Sequence, residues 1–442
     1  MALMYEQCSV KFPSIALCLF ASVLLLLISW EVNEANEFSP NIIKHLPGFE
    51  GTLPFSLETG YVGVGESEEF QLFYYFVESE EFQPFYYFVE SESTNPKEAP
   101  LFIWMTGGPC CSSMVGLATE MGPFTFKRPL YDGSLPSITL NPHSWTKIVS
   151  IIFLDQPVGT GFSYASVTDY NMGDSMAAKL VHQFIRKWLN DHPLFVSSPL
   201  YVAGDSYSGQ VVPVIVKEIW DEGIEAGEQP PLNLKGYILG NPRTDRRYDI
   251  GSRVSHIHGM ALISDELYEA AKISCGGDYT NTGSLKCKEA VEAVYKCIAG
   301  INSVHILETD CFSKKTTSDV GRQAILCDEY ILSEQWANND SVQQALNVHK
   351  GSIRKWKICD TSIPYTKDIT SAIEYHRKLS SKGYRTLVYS GDHDFGHIAG
   401  FTRTYSNNMT FATIKGGGHT APTYKPEECF KMIQRWVFGN PL

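Results

Sequence analysis

The sequence predicts an α/β fold, in which a mostly parallel central sheet is flanked by helices. Short apolar strands alternate along the chain with amphipathic helical segments, which is the pattern of such a fold. Serine, aspartate or histidine follows directly after several of these strands. The predicted strands are 101–104, 148–154, 200–203, 237–239, 386–389 and 411–414.

Composition indicates a large globular core. The chain has 442 residues, of which 43% are hydrophobic, so one large domain or several ordinary ones are possible. The net charge of −13 is spread along the sequence, and no basic patch interrupts it. These features argue against nucleic acid or an anionic membrane surface as a partner.

The N-terminus has the pattern of a secretory signal peptide. Lys11 precedes an apolar run of 14 residues, 15–28, which is too short to span a bilayer. We expect residues 1–29 to be cleaved, with no stable membrane span remaining and a secreted or vacuolar location. A retained signal anchor is the alternative.

Cysteine usage agrees with an oxidising compartment. Removing Cys8 and Cys18 with the signal leaves nine of the 11 cysteines, enough for disulfides and at least one unpaired thiol. Metal binding is the alternative use of these cysteines, but no C-x-x-C pairs with a second metal-binding motif, so we expect no metal. We also expect no cofactor. Asn339 and Asn408 begin N-x-S/T motifs and are predicted glycosylation sites.

Two helical segments each show one apolar stripe. Asp174 is positioned to cap the first, and the last spans 426–438. The stripes consist of Leu180, Phe184 and Trp188 in the first helix and of Phe430, Ile433 and Val437 in the last.

The region of about 243–342 differs from its surroundings. It holds five of the nine mature cysteines and the helical segments 265–273 and 285–299, with few strand-like runs. We interpret it as a largely helical, disulfide-tied insertion into a domain of residues 30–442, whose core comprises 30–242 and 343–442.

A tandem repeat lies ahead of the strand at 101–104. Residues 66–77 recur almost unchanged as 78–89, with Pro84 in place of Leu72. Proline is poorly tolerated in a central strand, so the first copy is predicted to enter the sheet and the second to loop out.

The segment around Ser206 has the form of a nucleophile elbow. The strand 200–203 leads into Gly204-Asp205-Ser206-Tyr207-Ser208-Gly209 and then into a helical segment, 211–220. A serine on a tight strand-to-helix turn projects its hydroxyl above the sheet. The second glycine comes one place later than in the strict motif, so an ordinary turn without a nucleophile is the alternative.

Two later sites supply partners for a nucleophilic serine. Asp394 follows the strand 386–389, and His419 follows the strand 411–414. Ser, Asp and His in this order match the triad of an α/β-hydrolase, in which Ser206 attacks, His419 carries the proton and Asp394 orients the imidazole. Separately, the aspartate could cap a turn and the histidine could be an ordinary loop residue.

Four sequence blocks resemble the serine carboxypeptidase-like family. They are 104–109 (WMTGGP), 154–164 (LDQPVGTGFSY), 204–209 (GDSYSG) and 416–422 (GGGHTAP). The resemblance implies an α/β-hydrolase core with a largely helical insertion, and catalytic Ser206, Asp394 and His419. It also implies an oxyanion hole formed by the backbone N–H groups of Gly108 and Tyr207.

The predicted substrate depends on two positions. The family resemblance implies two positions that bind the terminal carboxylate of a peptide in the carboxypeptidases. These enzymes usually have an asparagine directly before the two glycines of the first block and a glutamate directly before the catalytic serine. Thr106 and Asp205 stand there, beside Gly107. These residues resemble the plant acyltransferase branch, which passes an acyl group from a glucose ester to an alcohol or amine. The partners would be a small-molecule acyl donor and acceptor, or a peptide C-terminus if the chain is a carboxypeptidase.

Three departures from the family pattern favour a further alternative, a catalytically impaired member with a binding or accessory role. Cys110 replaces a glycine, the strand segment is duplicated, and only 25 positions separate Asp394 from His419. The short connection leaves 16 residues, 395–410, for the crossover to the next strand. We therefore expect poor packing around Asp394 and weak turnover.

The family resemblance also implies the disulfide pairing. Cys111 would pair with Cys359, Cys275 with Cys287 and Cys311 with Cys327. Cys110, Cys297 and Cys429 would remain as thiols.

Overall fold

The computed structural model describes residues 42–79, 99–127, 133–280, 283–308, 325–353, 355–395 and 403–442. Residues 43–442 form one unit. The predicted signal peptide and nearly all of the second repeat copy lie outside the described ranges. Within those ranges, no helix is both long enough and apolar enough to cross a membrane.

The strands agree with the predicted alternation, and all six predicted strands are present. Their bounds are β1 Ile42–Ile43, β2 Leu57–Val64, β3 Phe70–Val77, β4 Leu101–Met105, β5 Phe124–Phe126, β6 Ile138–Leu140, β7 Ser150–Leu154, β8 Tyr164–Ala165, β9 Leu200–Asp205, β10 Leu234–Gly240, β11 Arg385–Gly391, β12 Arg403–Thr404 and β13 Met409–Ile414.

The central sheet is mostly parallel. From β2 onward its order is β2-β3-β7-β4-β9-β10-β11-β13-β12, with β5 and β6 forming a separate hairpin. The pairs from β7 through β13 are parallel, whereas β2, β3 and β12 pair antiparallel with their neighbours. This arrangement confirms the predicted α/β-hydrolase class, and it places the ends of β9, β11 and β13 at one edge of the sheet.

Helices cover both faces of the sheet. Their bounds are α1 Asp174–Asp191, α2 Ser208–Glu218, α3 Arg246–Gly259, α4 Asp265–Cys275, α5 Leu285–Cys297, α6 Ile325–Ala337, α7 Asp340–Ala345, α8 Ile373–Ser381, α9 Ala421–Tyr424 and α10 Pro426–Val437. Side chains alternate along each strand, so Phe102 and Trp104 of β4 join one core cluster while Ile103 and Met105 join the other.

The predicted apolar stripes of the first and last helices are confirmed, with one correction to the cap of the first and one to the buried face of the last. Leu180, Phe184 and Trp188 are buried, but the N-cap of α1 is Gly173, and Asp174 makes no capping bond. In α10 the buried face is Cys429, Met432, Ile433 and Trp436, so the predicted Phe430 and Val437 lie at its edge. Asp174 instead serves a tertiary contact described below.

The region predicted as an insertion has its own core. Side chains of α3, α4 and α5 pack together in a cluster separate from the sheet. Phe395 belongs to this helical cluster. The predicted boundaries of the insertion, about 243–342, stay a prediction.

The first repeat copy enters the sheet as predicted. Residues of β3 pair with β2 on one side and β7 on the other, and Leu72 is buried. Of the second copy only Glu78 and Ser79 are described, so its looping out stays a prediction.

Two of the three predicted disulfides are present. Cys111 bonds to Cys359 and Cys275 to Cys287, while Cys110, Cys297 and Cys429 are free thiols as expected. Cys327 is also disulfide-bonded. Its predicted partner, Cys311, lies outside the described residues, so that pairing stays a prediction.

Cys110 adopts the backbone conformation that favours glycine. Its φ is +72°, in the left-handed region, and its thiol is buried. A side chain costs about 1 kcal/mol in this region relative to glycine. We expect Cys110→Gly to be more stable than Cys110→Ala by this amount, because both variants lose the thiol and differ only in strain. Chemical denaturation of the two variants measures the difference, and equal stabilities would contradict it.

Candidate active site

Ser206 lies on a strained turn between β9 and α2. Its φ is +54°, which L-residues rarely adopt. The N–H of Ser206 donates to the carbonyl of Gly240 at 2.8 Å, and its carbonyl accepts from Arg243 N–H at 2.7 Å. Hydrogen bonds to the neighbouring loop therefore hold the strained conformation, as expected at a nucleophile elbow.

The structure brings together the three residues predicted to form the triad. His419 Nε2 lies 2.8 Å from Ser206 Oγ, and His419 Nδ1 lies 2.7 Å from Asp394 Oδ2. These distances are within hydrogen-bond range and follow the order that proton transfer requires.

Asp394 is held by a residue that we did not predict. Asn241 donates from Nδ2 to Asp394 Oδ2 at 2.8 Å, and its Oδ1 accepts from Gly391 N–H at 3.2 Å. Both Asp394 and Asn241 are fully buried. The expected poor packing around Asp394 is therefore wrong, whereas weak turnover stays a prediction. The signal for Asn241 was Gly-Asn-Pro directly after a buried strand.

The electrostatics around His419 favour proton uptake. Burial alone would lower the pKa of the imidazole, but the Asp394 carboxylate outweighs it, and the pKa is raised above 6.5. Asp205 also raises the pKa, and Arg253 lowers it. Asp394 thus orients the ring and stabilises its charged form.

The loop that contains Gly107 and Gly108 lies directly against the turn at Ser206. A Cβ atom on Gly107 would lie 2.5 Å from Tyr207 N and 2.7 Å from Ser206 Cβ, so only glycine permits this approach. Within the described part of the chain, neither Gly108 N–H nor Tyr207 N–H donates a hydrogen bond. The roles of Gly108 and Tyr207 as oxyanion donors stay predictions.

Asp205 and Thr106 lie beside this loop. Asp205 Oδ1 accepts from Gly107 N–H at 3.1 Å, and burial raises the pKa of its carboxyl to about 6. Thr106 Oγ1 is buried and has no hydrogen-bond partner among the described residues. Glu120, which we did not predict, is buried near Asp205. Burial, Asp205 and Glu329 raise its pKa well above the ordinary value.

The side chain of Tyr207 is fixed from several directions. Its hydroxyl donates to Asp174 Oδ1 at 2.9 Å, which explains why Asp174 does not cap its helix. The Arg243 and Lys367 side chains lie 5.4 and 5.3 Å from the Tyr207 ring centroid. The backbone of Tyr207, which carries one predicted oxyanion donor, is thus anchored through its own side chain.

The two glycosylation motifs differ in their surroundings. Asn339 caps α7, with its Oδ1 accepting from Ser341 N–H at 3.0 Å, whereas Asn408 is exposed between β12 and β13. Glycosylation of both stays a prediction.

Comparison with known proteins identifies the family. The sequence profile described as serine carboxypeptidase matches residues 47–397 and 395–439. The chain belongs to the serine carboxypeptidase family. The two matched stretches meet at 395–397, directly after Asp394, where we expected a missing segment.

Relatives in this family match nearly the whole chain. Serine carboxypeptidase-like 1 from Arabidopsis thaliana is 48% identical over 452 residues, covering 95% of this chain and 98% of that protein. Serine carboxypeptidase-like 17 from the same plant is 46% identical over 435 residues, covering 91% and 94%.

A solved structure shares the fold. A prohormone-processing carboxypeptidase from Saccharomyces cerevisiae superimposes with a TM-score of 0.67, covering 87% of this chain and 92% of the yeast chain. The two sequences are 18% identical, so the similarity bears on the fold alone.

Proposed function

We propose that this chain is a secreted or vacuolar acyltransferase that forms an acyl-enzyme at Ser206. The donor is a glucose ester and the acceptor a small alcohol or amine. The observation that carries the proposal is the chain of contacts from Asp394 through His419 to Ser206, at 2.7 and 2.8 Å, beside two available backbone N–H groups.

The geometry supports a two-step transfer. Ser206 Oγ attacks the ester carbonyl while His419 Nε2 takes the hydroxyl proton, and the N–H groups of Gly108 and Tyr207 stabilise the oxyanion. When the tetrahedral intermediate collapses, the ester bond to the sugar breaks, and His419 returns the proton to the departing sugar oxygen. The acceptor then gives its proton to His419 and attacks the acyl group. The bond between the acyl carbon and Ser206 Oγ breaks, and His419 returns the proton to Ser206 Oγ, which restores the hydroxyl.

The side chains at positions 106 and 205 support a donor other than a peptide. Asp205 is directed back to the Gly107 N–H, and Thr106 offers a hydroxyl in place of an amide. The pair that binds a peptide carboxylate in the carboxypeptidases is therefore absent in its usual form.

A second candidate is a serine carboxypeptidase active at acidic pH. Because the pKa of Asp205 is raised to about 6, its carboxyl becomes protonated below that pH. A neutral acid can donate a hydrogen bond to a carboxylate, so peptide binding through Asp205 would strengthen as the pH falls.

Substrate panels distinguish these functions. We expect transfer from phenolic glucose esters to small alcohols, and little release of C-terminal residues from blocked dipeptides at acidic pH. The double variant Thr106→Asn/Asp205→Glu restores the carboxypeptidase pair and should gain peptide cleavage while losing transfer.

Mass spectrometry of the intact protein would detect the acyl-enzyme, with Ser206→Ala as the control. Efficient peptide cleavage by the unmodified chain, without transfer from any ester, would reverse the order of the candidates. Absence of turnover with both panels would favour the impaired alternative.

A further inference from the structure

One segment of the region predicted as an insertion contacts the loop that carries Asp394 and also the loop that carries His419. Residues 302–308, here called the bridging segment, follow α5. The carbonyl of Val304 accepts from His419 N–H at 2.7 Å. Two residues later, Ile306 N–H donates to the carbonyl of His393 at 3.0 Å, directly before Asp394.

Side-chain packing reinforces these two backbone bonds. The His305 ring is buried, with its centroid 5.1 Å from that of His393 and 4.3 Å from that of Tyr424. A Cβ atom on Gly418 would lie 2.6 Å from Val304 O and 2.7 Å from His305 Cδ2. The bridging segment therefore packs against the His419 loop without space for another side chain.

The bridging segment also stabilises its own turns. Asn302 Oδ1 accepts from Val304 N–H at 3.0 Å, and His305 Nδ1 accepts from Leu307 N–H at 3.3 Å. Ile306 and Phe395 both pack in the core of α3, α4 and α5. The residue after Asp394 and the bridging segment are thus anchored in the same helical cluster.

We propose that the bridging segment positions Asp394 and His419 relative to each other, with His305 as the positioning residue. This inference rests on the proposed acyl-enzyme function. The short connection between Asp394 and His419 then matters little, because the helical cluster fixes both loops from outside that connection.

The first test compares His305→Ala with a matched core variant. His305→Ala removes ring packing beside Val304 and the His419 loop, whereas Val342→Ala removes a fully buried side chain of the sheet core, outside the helical cluster. We expect fluorophosphonate labelling of Ser206 to slow by about 10²-fold in His305→Ala. In Val342→Ala the labelling rate should be unchanged.

The pH profile distinguishes positioning from a general loss of stability. Labelling requires neutral His419, whose pKa the Asp394 carboxylate raises against the effect of burial. Weaker contact with Asp394 lowers that pKa, so the midpoint of the profile should move to lower pH in His305→Ala. Burial and His393 lower the pKa of His305 itself below 6.5, so its removal takes no charge away at neutral pH. Asp205 and Arg253, which also act on His419, are unchanged.

Rescue variants and NMR complete the experiment. His305→Phe keeps the ring packing and should recover most of the labelling rate, whereas His305→Asn keeps only the acceptor for Leu307 N–H and should not. The downfield proton shared by His419 and Asp394 should be visible by NMR in the unmodified chain and lost in His305→Ala. This signal needs no turnover, so it decides the inference even if Ser206 proves unreactive and the proposed function fails. A wild-type labelling rate with an unshifted midpoint, a retained NMR signal, or equal losses in His305→Ala and Val342→Ala would each overturn the inference.

Discussion

Replacing Ser206 with alanine is expected to lower kcat for acyl transfer by about 10⁶-fold, the loss seen when a triad nucleophile is removed. The alanine leaves His419 Nε2 without the hydroxyl that lies 2.8 Å from it, Ser206 Oγ. Fluorophosphonate labelling followed by peptide mapping measures the same event, and an adduct on another serine would contradict the assignment.

Ser206→Gly is a control for the fold. Position 206 has a φ of +54°, so glycine should relieve strain of about 1 kcal/mol while alanine should not. Both variants should be inactive, with Ser206→Gly the more stable in chemical denaturation. An inactive protein of increased stability would show that loss of the hydroxyl, and not misfolding, removes activity.

Replacing Asp394 with asparagine is expected to lower kcat by about 10⁴-fold, equivalent to about 5–6 kcal/mol of activation barrier. Asn241 donates to the oxygen that also contacts His419. An asparagine at 394 is neutral and places either its oxygen or its NH₂ at this shared position. With the NH₂ there, the imidazole holds its proton on Nε2 and cannot take the proton of Ser206. With the oxygen there, the negative charge that stabilises the protonated imidazole is lost.

The control for this variant is Asp392→Asn. Asp392 accepts from Gly416 N–H at 2.6 Å, so it orders the loop without contacting His419. We expect a much smaller loss of kcat than in Asp394→Asn. A larger loss at position 392 would show that the first aspartate of the loop acts in catalysis.

The pH profile of Asp394→Asn should also change. Burial alone lowers the pKa of His419, and the Asp394 carboxylate raises it. Without this carboxylate, the residual activity should reach its plateau at lower pH than in the unmodified chain. An unchanged midpoint would show that Asp394 does not set the protonation of His419.

The strands and the positions of Ser206, Asp394 and His419 could be predicted because they follow from local patterns. Apolar runs of three to seven residues identify the strands, and parallel strands place their carboxyl ends at one edge of the sheet. Each triad residue follows such a strand, so their proximity was a consequence of the predicted topology. The roles of Thr106 and Asp205 depended on family resemblance and remain proposals.

By itself, the sequence determined the α/β class, the elbow and the order of the triad, since strand periodicity and turn chemistry are properties of neighbouring residues. Only the tertiary structure decided what supports these residues. Asn241 meets Asp394 across 153 positions, and the bridging segment reaches the His419 loop from the helical cluster. Likewise, Asp174 pairs with Tyr207 instead of capping its helix. Such contacts depend on how distant elements pack, and the raised pKa values of Asp205 and His419 depend on the burial and charges that this packing creates.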